Sequence, residues 1–472
     1  ADPEFLEACD SLGLYVECEL SGWHWAHPTV VGKQLVKEMI TRDENHPSII
    51  FWSNGNEGGF NYELEPDFAL WDKQKRVVLY PWANRNGFET KHYRSYGETQ
   101  EYMRQKEIFM PTEFLHGLYD GGHGAGLKDY WDMMMANPRC AGGFLWDLMD
   151  QGVVRTDKNN YVDCMGNFGA DGIVGPHAEK EGSYYTIKEV WCPVQLTWND
   201  VEKGELTLSN QYNFVNLKDC RFSYRLLRMP AMGSTQVKVL KQGNLSSPDV
   251  APGKEAQVKI PMMANADAVE IKAVNHEGEK IMTWSRGVKS EERRVKNSSA
   301  PSTSSAAYAD QADAVEVKAG GRTYRFAKKD GRLMGVEVGS KAISLSNGPR
   351  FMAARRSDRS LDQFYNHDDK EAEKKKTLYT EFVDQGAFAG FEWKEAEAKL
   401  VATYQHGSLD EVDWQFLSGG SVAVTCHYNF GGVVDMMGMA FDYPESKVRS
   451  KAWVGNGPYR VWQNREQGPQ YG

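Results

Sequence analysis

NHPSIIFWSNGNE, residues 45–57, is the stretch of sequence that decides the fold. Ile49 to Trp52 form a short, continuous apolar run, which is typical of a strand buried on both faces of a parallel sheet. The run stops at a polar, glycine-rich segment that contains Glu57. Parallel barrels keep their active sites at the carboxyl ends of their strands. The stretch therefore predicts a buried strand that delivers Glu57 to a polar cleft, although an ordinary strand-to-loop turn with a solvated Glu57 is the alternative.

Two later segments repeat this pattern. IFMPTEFLHG, residues 108–117, is a short apolar strand that ends in Glu113, and AGGFLWDLMDQ, residues 141–151, presents Trp146 beside Asp147 and Asp150. Glycoside hydrolysis needs two carboxyl groups from different places in the chain, one to protonate the leaving oxygen and one to attack the anomeric carbon or activate water. The flat face of a tryptophan suits a sugar ring. The pattern therefore favours a carbohydrate-active site.

At these residues the sequence resembles glycoside hydrolase family 2, and within it the β-galactosidases. The family's acid/base signature is an Asn-Glu pair after an apolar strand that follows Asn-His-Pro-Ser, and Asn56 and Glu57 match it. The resemblance implies that Glu57 is the acid/base and that Glu113 is the covalent nucleophile of a retaining mechanism. It also implies a set of substrate-binding residues, namely Asn56, Tyr93, His116, Trp146 and His24.

Some of these residues have a structural interpretation as well. Tyr93 matches the family's tyrosine that hydrogen-bonds the nucleophile, and the alternative is a barrel aromatic with a solvated hydroxyl group. His92 and His46 are interpreted as structural. His24 follows the apolar segment that starts at Leu14, so it is expected to face the cleft.

The metal sites of the family are matched only in part. The Glu-x-His pair that helps to bind magnesium in the best-known β-galactosidases is absent, and Trp23-His24-Trp25 stands in that region, so His24 is a lone ligand or a sugar contact. Phe168 and Asp171 resemble the loop that supplies oxygen ligands to sodium in the family, and oxygen ligands suit a hard cation such as sodium, magnesium or calcium. An Asp-Gly turn is the alternative. No organic cofactor is expected.

The pattern of apolar residues changes several times along the chain, which predicts a multidomain protein. Residues 1–194 are expected to form an incomplete (β/α)8 TIM barrel that enters at the family's third strand, and alternating strands indicate an immunoglobulin-like β-sandwich at 195–288. A linker rich in charged residues, Ser and Ala is predicted at 289–313. Residues 314–472 resemble the large antiparallel β-sandwich at the C terminus of β-galactosidases and are expected to end before that domain is complete.

Composition excludes several classes of function. The net charge of −10 and the pI of about 5.7 argue against nucleic acid as a partner, and no apolar run approaches the ~20 residues of a membrane-spanning helix. Seven scattered cysteines indicate neither a disulfide framework nor a zinc site. The expected partner is a carbohydrate substrate, a homo-oligomer is compatible with the sequence, and the compartment is left open between cytoplasm and periplasm.

The function predicted from the sequence is that of a retaining, exo-acting glycoside hydrolase that cleaves terminal β-D-galactosides. Two alternatives remain: the same chemistry on a β-glucuronide or β-mannoside, and a non-catalytic carbohydrate-binding protein on the same scaffold. Retention predicts roughly 5–5.5 Å between the carboxyl groups of Glu57 and Glu113. As the general acid, Glu57 is expected to have the higher pKa of the two.

Overall fold

The computed structural model describes the chain except for residues 119–122, 166–167, 231–233, 289–305, 357–378, 382–385, 418–419, 460 and 462–464. The chain divides into two compact units. The first unit comprises Ala1–Val288 and Val454–Gly472, and the second comprises Lys289–Trp453. The predicted candidate site residues all lie in the first unit.

The helices, α1 to α6 in chain order, are Pro3–Leu12, Thr29–Asp43, Glu65–Trp71, Tyr96–Tyr102, Leu127–Met135 and Gly182–Val190. The longest has 15 residues, and among the described residues no helix combines the length and the apolar character that crossing a membrane requires. The strands, β1 to β29, are Val16–Trp23, Ile49–Asn56, Val77–Leu79, Asn84–Arg85, Phe88–Glu89, Ile108–Phe109, Val153–Arg155, Tyr161–Asp163, Val194–Asp200, Glu205–Asn210, Arg221–Arg228, Lys238–Leu245, Glu255–Lys259, Ala268–Val274, Lys280–Gly287, Ala307–Asp310, Ala314–Ala319, Arg322–Ala327, Leu333–Val338, Lys341–Ile343, Ser346–Arg356, Tyr379–Glu381, Ala387–Lys394, Lys399–Gln405, Leu409–Phe416, Val422–Tyr428, Met436–Asp442, Asn456–Gly457 and Gln470–Tyr471.

Successive segments at the start of the first unit pair in parallel. Strands β1, β2 and β3 form one parallel sheet in that order, and β5 pairs with β6 in parallel. Further along the chain, parallel bridges join Phe109 to Cys140, Phe114 to Leu145 and Met149 to Val174. Parallel neighbours have their carboxyl ends on the same side. The polar residues that follow β2 and β6 therefore lie at the carboxyl ends of their respective parallel pairs.

Most of the apolar run of β2 is buried or half-buried. Ile49 and Trp52 are buried with Val36 and Ile40 of α2 in one core cluster. The Trp52 indole N–H donates to Asp72 Oδ2 at 2.9 Å, which satisfies the one polar atom of this side chain. Ile50, in contrast, is 36% exposed. The prediction that the run is buried on both faces is therefore wrong at Ile50.

A second, antiparallel layer of the first unit follows from Val194. Its two sheets have the strand orders β13-β10-β9 and β12-β11-β14-β15, and their apolar faces enclose one core. Alternating buried and half-buried residues along β10 match the alternation read from the sequence. The last strand, β29, lies beside β15, where Ser285 Oγ accepts a 2.6 Å hydrogen bond from the Tyr471 backbone N–H. Residues 454–472 therefore belong to this unit, whereas the sequence assigned them to the C-terminal sandwich.

The second unit is built from antiparallel strands. One sheet has the order β16-β17-β18-β19-β21-β22, with β20 on β19 and β27 on β21, and the other has the order β23-β24-β25-β26. Phe326, Trp414 and Phe416 lie in the core that the two sheets share. Residues 289–305 of the predicted linker are outside the described residues, and its remainder contains β16, which pairs with β17. Among the described residues of this unit, the first strand thus begins at Ala307 and not after residue 313.

Candidate active site

The turn after β2 holds Glu57 by close backbone packing. Asn56 pairs with Trp23 at the end of β1, and the Asn56 carbonyl accepts from the backbone N–H of Gly59 at 2.8 Å. Gly55 has φ +76°, and a Cβ at this position would lie 2.3 Å from the Gly59 carbonyl oxygen. Glu57 itself has φ +45°, which is uncommon for a residue with a side chain. The tight turn therefore fixes the direction of the Glu57 side chain.

We expect Gly55→Ala to displace Glu57 and to lower both the melting temperature and the activity of the whole protein. The added methyl group must push the Gly59 carbonyl aside, because that oxygen is backbone and cannot rotate away. Gly58→Ala is the matched control, since Gly58 also has positive φ (+93°) but an added Cβ would meet no atom within 4 Å. The control should cost only ~1–2 kcal/mol of folding free energy from the left-handed backbone. Equal losses of activity in the two variants would contradict this account.

Glu113 lies in the segment after β6. It is 8% exposed, and parallel bridging places Phe114 beside Leu145. Asn56 Nδ2 donates to Glu113 Oε1 at 3.2 Å, and the Tyr93 hydroxyl group donates to Glu113 Oε2. The second contact is the one expected for Tyr93. Asn56 and Tyr93 thus both contact Glu113 directly.

The two glutamates are neighbours, and His92 lies against both. One carboxylate oxygen from each glutamate and one nitrogen of His92 all lie within 4.8 Å of one another. His92 Nδ1 is 3.0 Å from Glu57 Oε1 and 3.6 Å from Glu113 Oε2. This upper limit of 4.8 Å is shorter than the roughly 6.5–9.5 Å that separates the carboxyl groups of inverting glycosidases. The sequence interpretation of His92 as structural overlooked this position.

The order of the pKa values of Glu57 and Glu113 is the reverse of the one expected from the sequence. The hydrogen bond from His92 and, after it, the one from Trp23 lower the pKa of Glu57 against the effect of its burial. Burial is the largest effect on Glu113 and raises its pKa, although the charge of His92 and the Tyr93 hydrogen bond oppose it. The expectation that Glu57 has the higher pKa is therefore wrong for this structure, since its two N–H donors outweigh its desolvation.

Residues at the end of β1 and directly after it also contact Glu57. The Trp23 indole N–H donates to Glu57 Oε2 at 2.9 Å, a contact that the sequence did not predict. His24 has φ +60°, its Nδ1 lies 2.9 Å from the Glu57 carbonyl oxygen, and its Nε2 lies 3.7 Å from Glu57 Oε2. His24 therefore faces the cleft as expected. The nearby acid Glu19 has its pKa raised to about 7 by desolvation and by the charges of Glu113 and Glu57.

His116 extends the site from Tyr93 towards Asp171. The rings of Tyr93 and His116 are 5.4 Å apart, and desolvation lowers the pKa of His116 to about 4, so the imidazole is neutral at pH 7. Its Nδ1 accepts from the Leu118 backbone N–H at 3.2 Å, which places the ring proton on Nε2. Nε2 lies 3.9 Å from Asp171 Oδ2. His116 thus presents a donor beside a buried carboxylate.

Trp146 is tied by its backbone to the segment that carries the nucleophile candidate. Its carbonyl oxygen accepts from the Gly117 N–H at 3.0 Å and from His123 Nε2 at 2.6 Å, and its N–H donates to the Phe114 carbonyl at 3.4 Å. The half-buried side chain leaves part of the ring accessible. Its role as a sugar platform stays a prediction.

The candidate cation site contains two carboxylates with unpaired oxygens. Asp171 is 4% exposed, and its Oδ1, like Asp147 Oδ1, is buried without a hydrogen-bond partner. Gln151 Nε2 donates to the other oxygen of each, at 3.2 Å to Asp147 and 3.4 Å to Asp171. Burial, together with the charge of Asp171, raises the pKa of Asp147 to about 6. Unpaired buried carboxylate oxygens fit a hard cation. Phe168 borders residues 166–167, which are outside the described residues, so its carbonyl ligand stays a prediction.

In the described part of the chain, two clusters of acidic and histidine side chains have the spacing that could hold a metal ion. Glu57, His92 and Glu113 form one, and Glu411, Asp413 and His427 form the other on strands β25 and β26 of the second unit. The first coincides with the candidate catalytic pair. Neither cluster contains Phe168 or Asp171.

A prediction about pH follows from Asp147. Its folded pKa lies above the ordinary value of 3.8, so the folded state holds this proton more tightly than the unfolded state does. The stabilising effect of the protonated form is complete below pH 3.8 and is lost as the pH rises through about 6. We therefore expect Asp147→Asn to flatten the fall of the melting temperature between pH 4 and pH 7.

A second prediction concerns cation binding at Asp171. Sodium chloride, compared with choline chloride at equal ionic strength, should raise the melting temperature of the parent at pH 7 and have less effect on Asp171→Asn. An equal response of parent and Asp171→Asn to sodium would contradict the cation assignment.

Comparison with known proteins identifies similar sequences over most of the first unit. Residues 1–177 match the family model described as glycosyl hydrolases family 2, TIM barrel domain, and residues 206–283 match the model described as beta-galactosidase, domain 4. A beta-galactosidase of Priestia megaterium is 29% identical over 202 residues, which cover 38% of this chain and 19% of that protein. A beta-galactosidase of Aeromonas hydrophila is 25% identical over 328 residues, which cover 58% of this chain and 32% of that protein.

The solved structures that match the chain have lower sequence identity to it than the curated relatives have. A β-glucuronidase of Parabacteroides merdae is 12% identical, with a TM-score of 0.33, and the match covers 90% of this chain and 57% of that chain. An exo-chitosanase of Amycolatopsis orientalis is also 12% identical, with a TM-score of 0.33 over 76% of this chain and 53% of that chain. The chain spans less than a third of the length of either curated relative named above.

Proposed function

The chain is a β-galactosidase-like member of glycoside hydrolase family 2, and on that premise we propose that the whole protein is a retaining exo-β-galactosidase. The observation that carries the proposal is the placement of Glu57 and Glu113, with an oxygen of each within 4.8 Å, against one buried imidazole. We propose the finer architecture as well: barrel strands at 1–194, an immunoglobulin-like sandwich at 195–288, and part of the family's large C-terminal sandwich in the second unit.

In the first step of the proposed reaction, a Glu113 carboxylate oxygen attacks the anomeric carbon. The new carbon–oxygen bond forms as the glycosidic bond breaks, and the leaving oxygen takes a proton from Glu57. Asn56 and Tyr93 hold Glu113 by hydrogen bonds to its two oxygens, which orients one of them for attack. The product of this step is a glycosyl ester on Glu113.

In the second step, water attacks the same carbon and transfers a proton to Glu57, which now acts as the base. The ester bond to Glu113 breaks and its carboxylate is restored. Each step inverts the anomeric carbon, so the sugar is released with its original configuration. A cation held by Asp171 would contribute positive charge near the sugar-binding face. His116, His24 and Trp146 are proposed as sugar contacts.

A panel of 4-nitrophenyl β-glycosides tests this proposal with the whole protein. We expect the highest kcat/KM on the β-galactoside, ahead of the β-glucuronide, β-mannoside and β-glucoside. NMR of the reaction at early times should show the β anomer of the released sugar first. Preference for another sugar would contradict the galactoside assignment, and saturable sugar binding without any turnover would favour a non-catalytic carbohydrate-binding protein.

A further inference from the structure

His92 is a completely buried imidazole in contact with the carboxylate of Glu57. Its side chain is 0% exposed, and a carboxylate can only accept a hydrogen bond, so the 3.0 Å contact requires the proton on Nδ1. On the other side, Nε2 is 2.8 Å from Thr112 Oγ1, which fixes the ring plane. The Thr112 hydroxyl group in turn lies 3.5 Å from the Thr90 carbonyl oxygen. The ring is therefore held at both nitrogens.

Glu57 receives one N–H donor on each oxygen. His92 Nδ1 donates to Oε1, and the Trp23 indole donates to Oε2 at 2.9 Å. Two donors on two oxygens favour the ionised carboxylate over the carboxylic acid. The lowered pKa of Glu57, with the His92 hydrogen bond as its largest cause, agrees with this geometry.

The two steps of the proposed reaction need opposite forms of Glu57. The first step needs the acid, whereas the second needs the carboxylate to accept a proton from water. In the second step Glu113 is esterified, so its negative charge is gone. His92 Nδ1 is 3.0 Å from Glu57 Oε1 and 3.6 Å from Glu113 Oε2, so the carboxylate that it hydrogen-bonds is also the one that stays charged in this step.

We propose that His92 is a positioning residue that holds Glu57 as an oriented carboxylate for the second step, deglycosylation. The inference rests on the function proposed above and adds a step-specific role for a residue outside the Asn-Glu pair and the nucleophile. It implies that His92 governs kcat wherever deglycosylation limits the rate, and that it contributes little to kcat/KM of a substrate with a good leaving group.

His92→Leu and His92→Asn form a matched pair for the test in the whole protein. The two new side chains have nearly the same shape, but only the amide of Asn can donate to Glu57. With 2,4-dinitrophenyl β-galactoside we expect His92→Leu to lower kcat ~10- to 150-fold, which corresponds to the loss of one hydrogen bond to a charged group. Its kcat/KM should change less than threefold, and a pre-steady-state burst of dinitrophenol should approach one equivalent per active site. His92→Asn should recover most of the loss in kcat.

Trapping with 2-deoxy-2-fluoro-β-galactosyl fluoride measures the second step alone. The glycosyl-enzyme should form on Glu113 in the parent and in both variants, and its hydrolysis after removal of the reagent should be slowed ~10- to 150-fold in His92→Leu. Absence of any adduct in the parent would contradict the proposed function itself. A trapped adduct that reactivates equally fast in parent and His92→Leu would overturn the role of His92 and leave the proposed function standing.

Two further results would also overturn the inference. A parallel fall of kcat and kcat/KM in His92→Leu would place His92 in the first step or in general structure, and an equal defect in His92→Asn would show that the donor is not what matters. If His92→Leu does not fold, Thr112→Val takes its place. That variant keeps the shape of the side chain but removes the hydroxyl group at Nε2, and it should slow reactivation in the same direction, whereas reactivation at the parent rate would contradict the proposal.

Discussion

Glu113→Gly in the whole protein is expected to lower hydrolysis of an aryl β-galactoside by roughly 10⁴-fold or more, because no glycosyl-enzyme can form without the nucleophile. Glycine leaves a space between Asn56 and Tyr93, the two residues that contact the Glu113 carboxylate. Azide or formate can occupy that space and attack the anomeric carbon directly. A single displacement inverts the carbon, so the product with azide should be the α-galactosyl azide.

The same truncation at Asp150 is the control for this prediction. Asp150 is also a carboxylate after an apolar segment, but its Oδ1 accepts from the Gly172 backbone N–H at 2.8 Å, as part of a turn. Azide should therefore give no α-galactosyl azide with Asp150→Gly. Near-normal hydrolysis by Glu113→Gly would refute its assignment, and the nucleophile would then be sought first at Asp147 and Asp150.

Glu57→Ala is expected to lower turnover of an unactivated β-galactoside by ~10²–10⁴-fold, the usual contribution of general acid–base catalysis. A dinitrophenyl leaving group needs little protonation, so formation of the glycosyl-enzyme should persist and its hydrolysis should become rate-limiting. Azide needs no general base and should accelerate turnover of this substrate. Since two displacements now occur, the product should be the β-galactosyl azide.

The configurations of the two azide products decide the roles of the two glutamates. Product NMR of Glu113→Gly and Glu57→Ala under identical conditions gives the comparison, and each variant serves as the control of the other. Azide products of the same configuration from both variants would show that the assigned roles are wrong.

The meeting of Glu57 and Glu113 could be predicted from the sequence because it depends on topology alone. Parallel strands place their carboxyl ends on one face, so two apolar runs that each end in an acid bring those acids together. The contact of Tyr93 with Glu113 is the one that the family resemblance implied, whereas Asn56 was expected to contact the substrate. None of these inferences needed the direction of an individual side chain in a loop.

The position of His92 could not be predicted, because it depends on backbone torsion angles that the sequence does not display. The sequence interpretation assigned Tyr93 to the cleft and took the adjacent His92 as structural. In the structure Tyr93 has φ +48°, and this turn allows His92 and Tyr93 both to reach the acid pair. The only available signal was a titratable residue directly beside a predicted site residue.

The relative pKa values of the pair could not be predicted for a related reason. The sequence argument considered the charges of the two glutamates and the task of a general acid. The outcome depends instead on which N–H groups reach which oxygen, and the Trp23 indole reaches Glu57 from the end of a different strand. No pattern in the sequence linked Trp23 to Glu57 or Glu113.

The contacts of residues 454–472 within the first unit determine when this unit can be finished during synthesis. The Gln467 carbonyl accepts from the Thr186 hydroxyl group at 2.9 Å, 281 positions away in the sequence, and the Gly468 N–H donates to Glu189 Oε2 at 2.5 Å. The ribosome must therefore translate Lys289–Trp453 before these contacts can close, and at 5–20 residues per second this takes roughly 8–33 s. Until then α6 and β15 lack their hydrogen-bond partners from this segment. Residues 289–453 are thus, in order of synthesis, an insertion within a unit whose folding begins before them and ends after them.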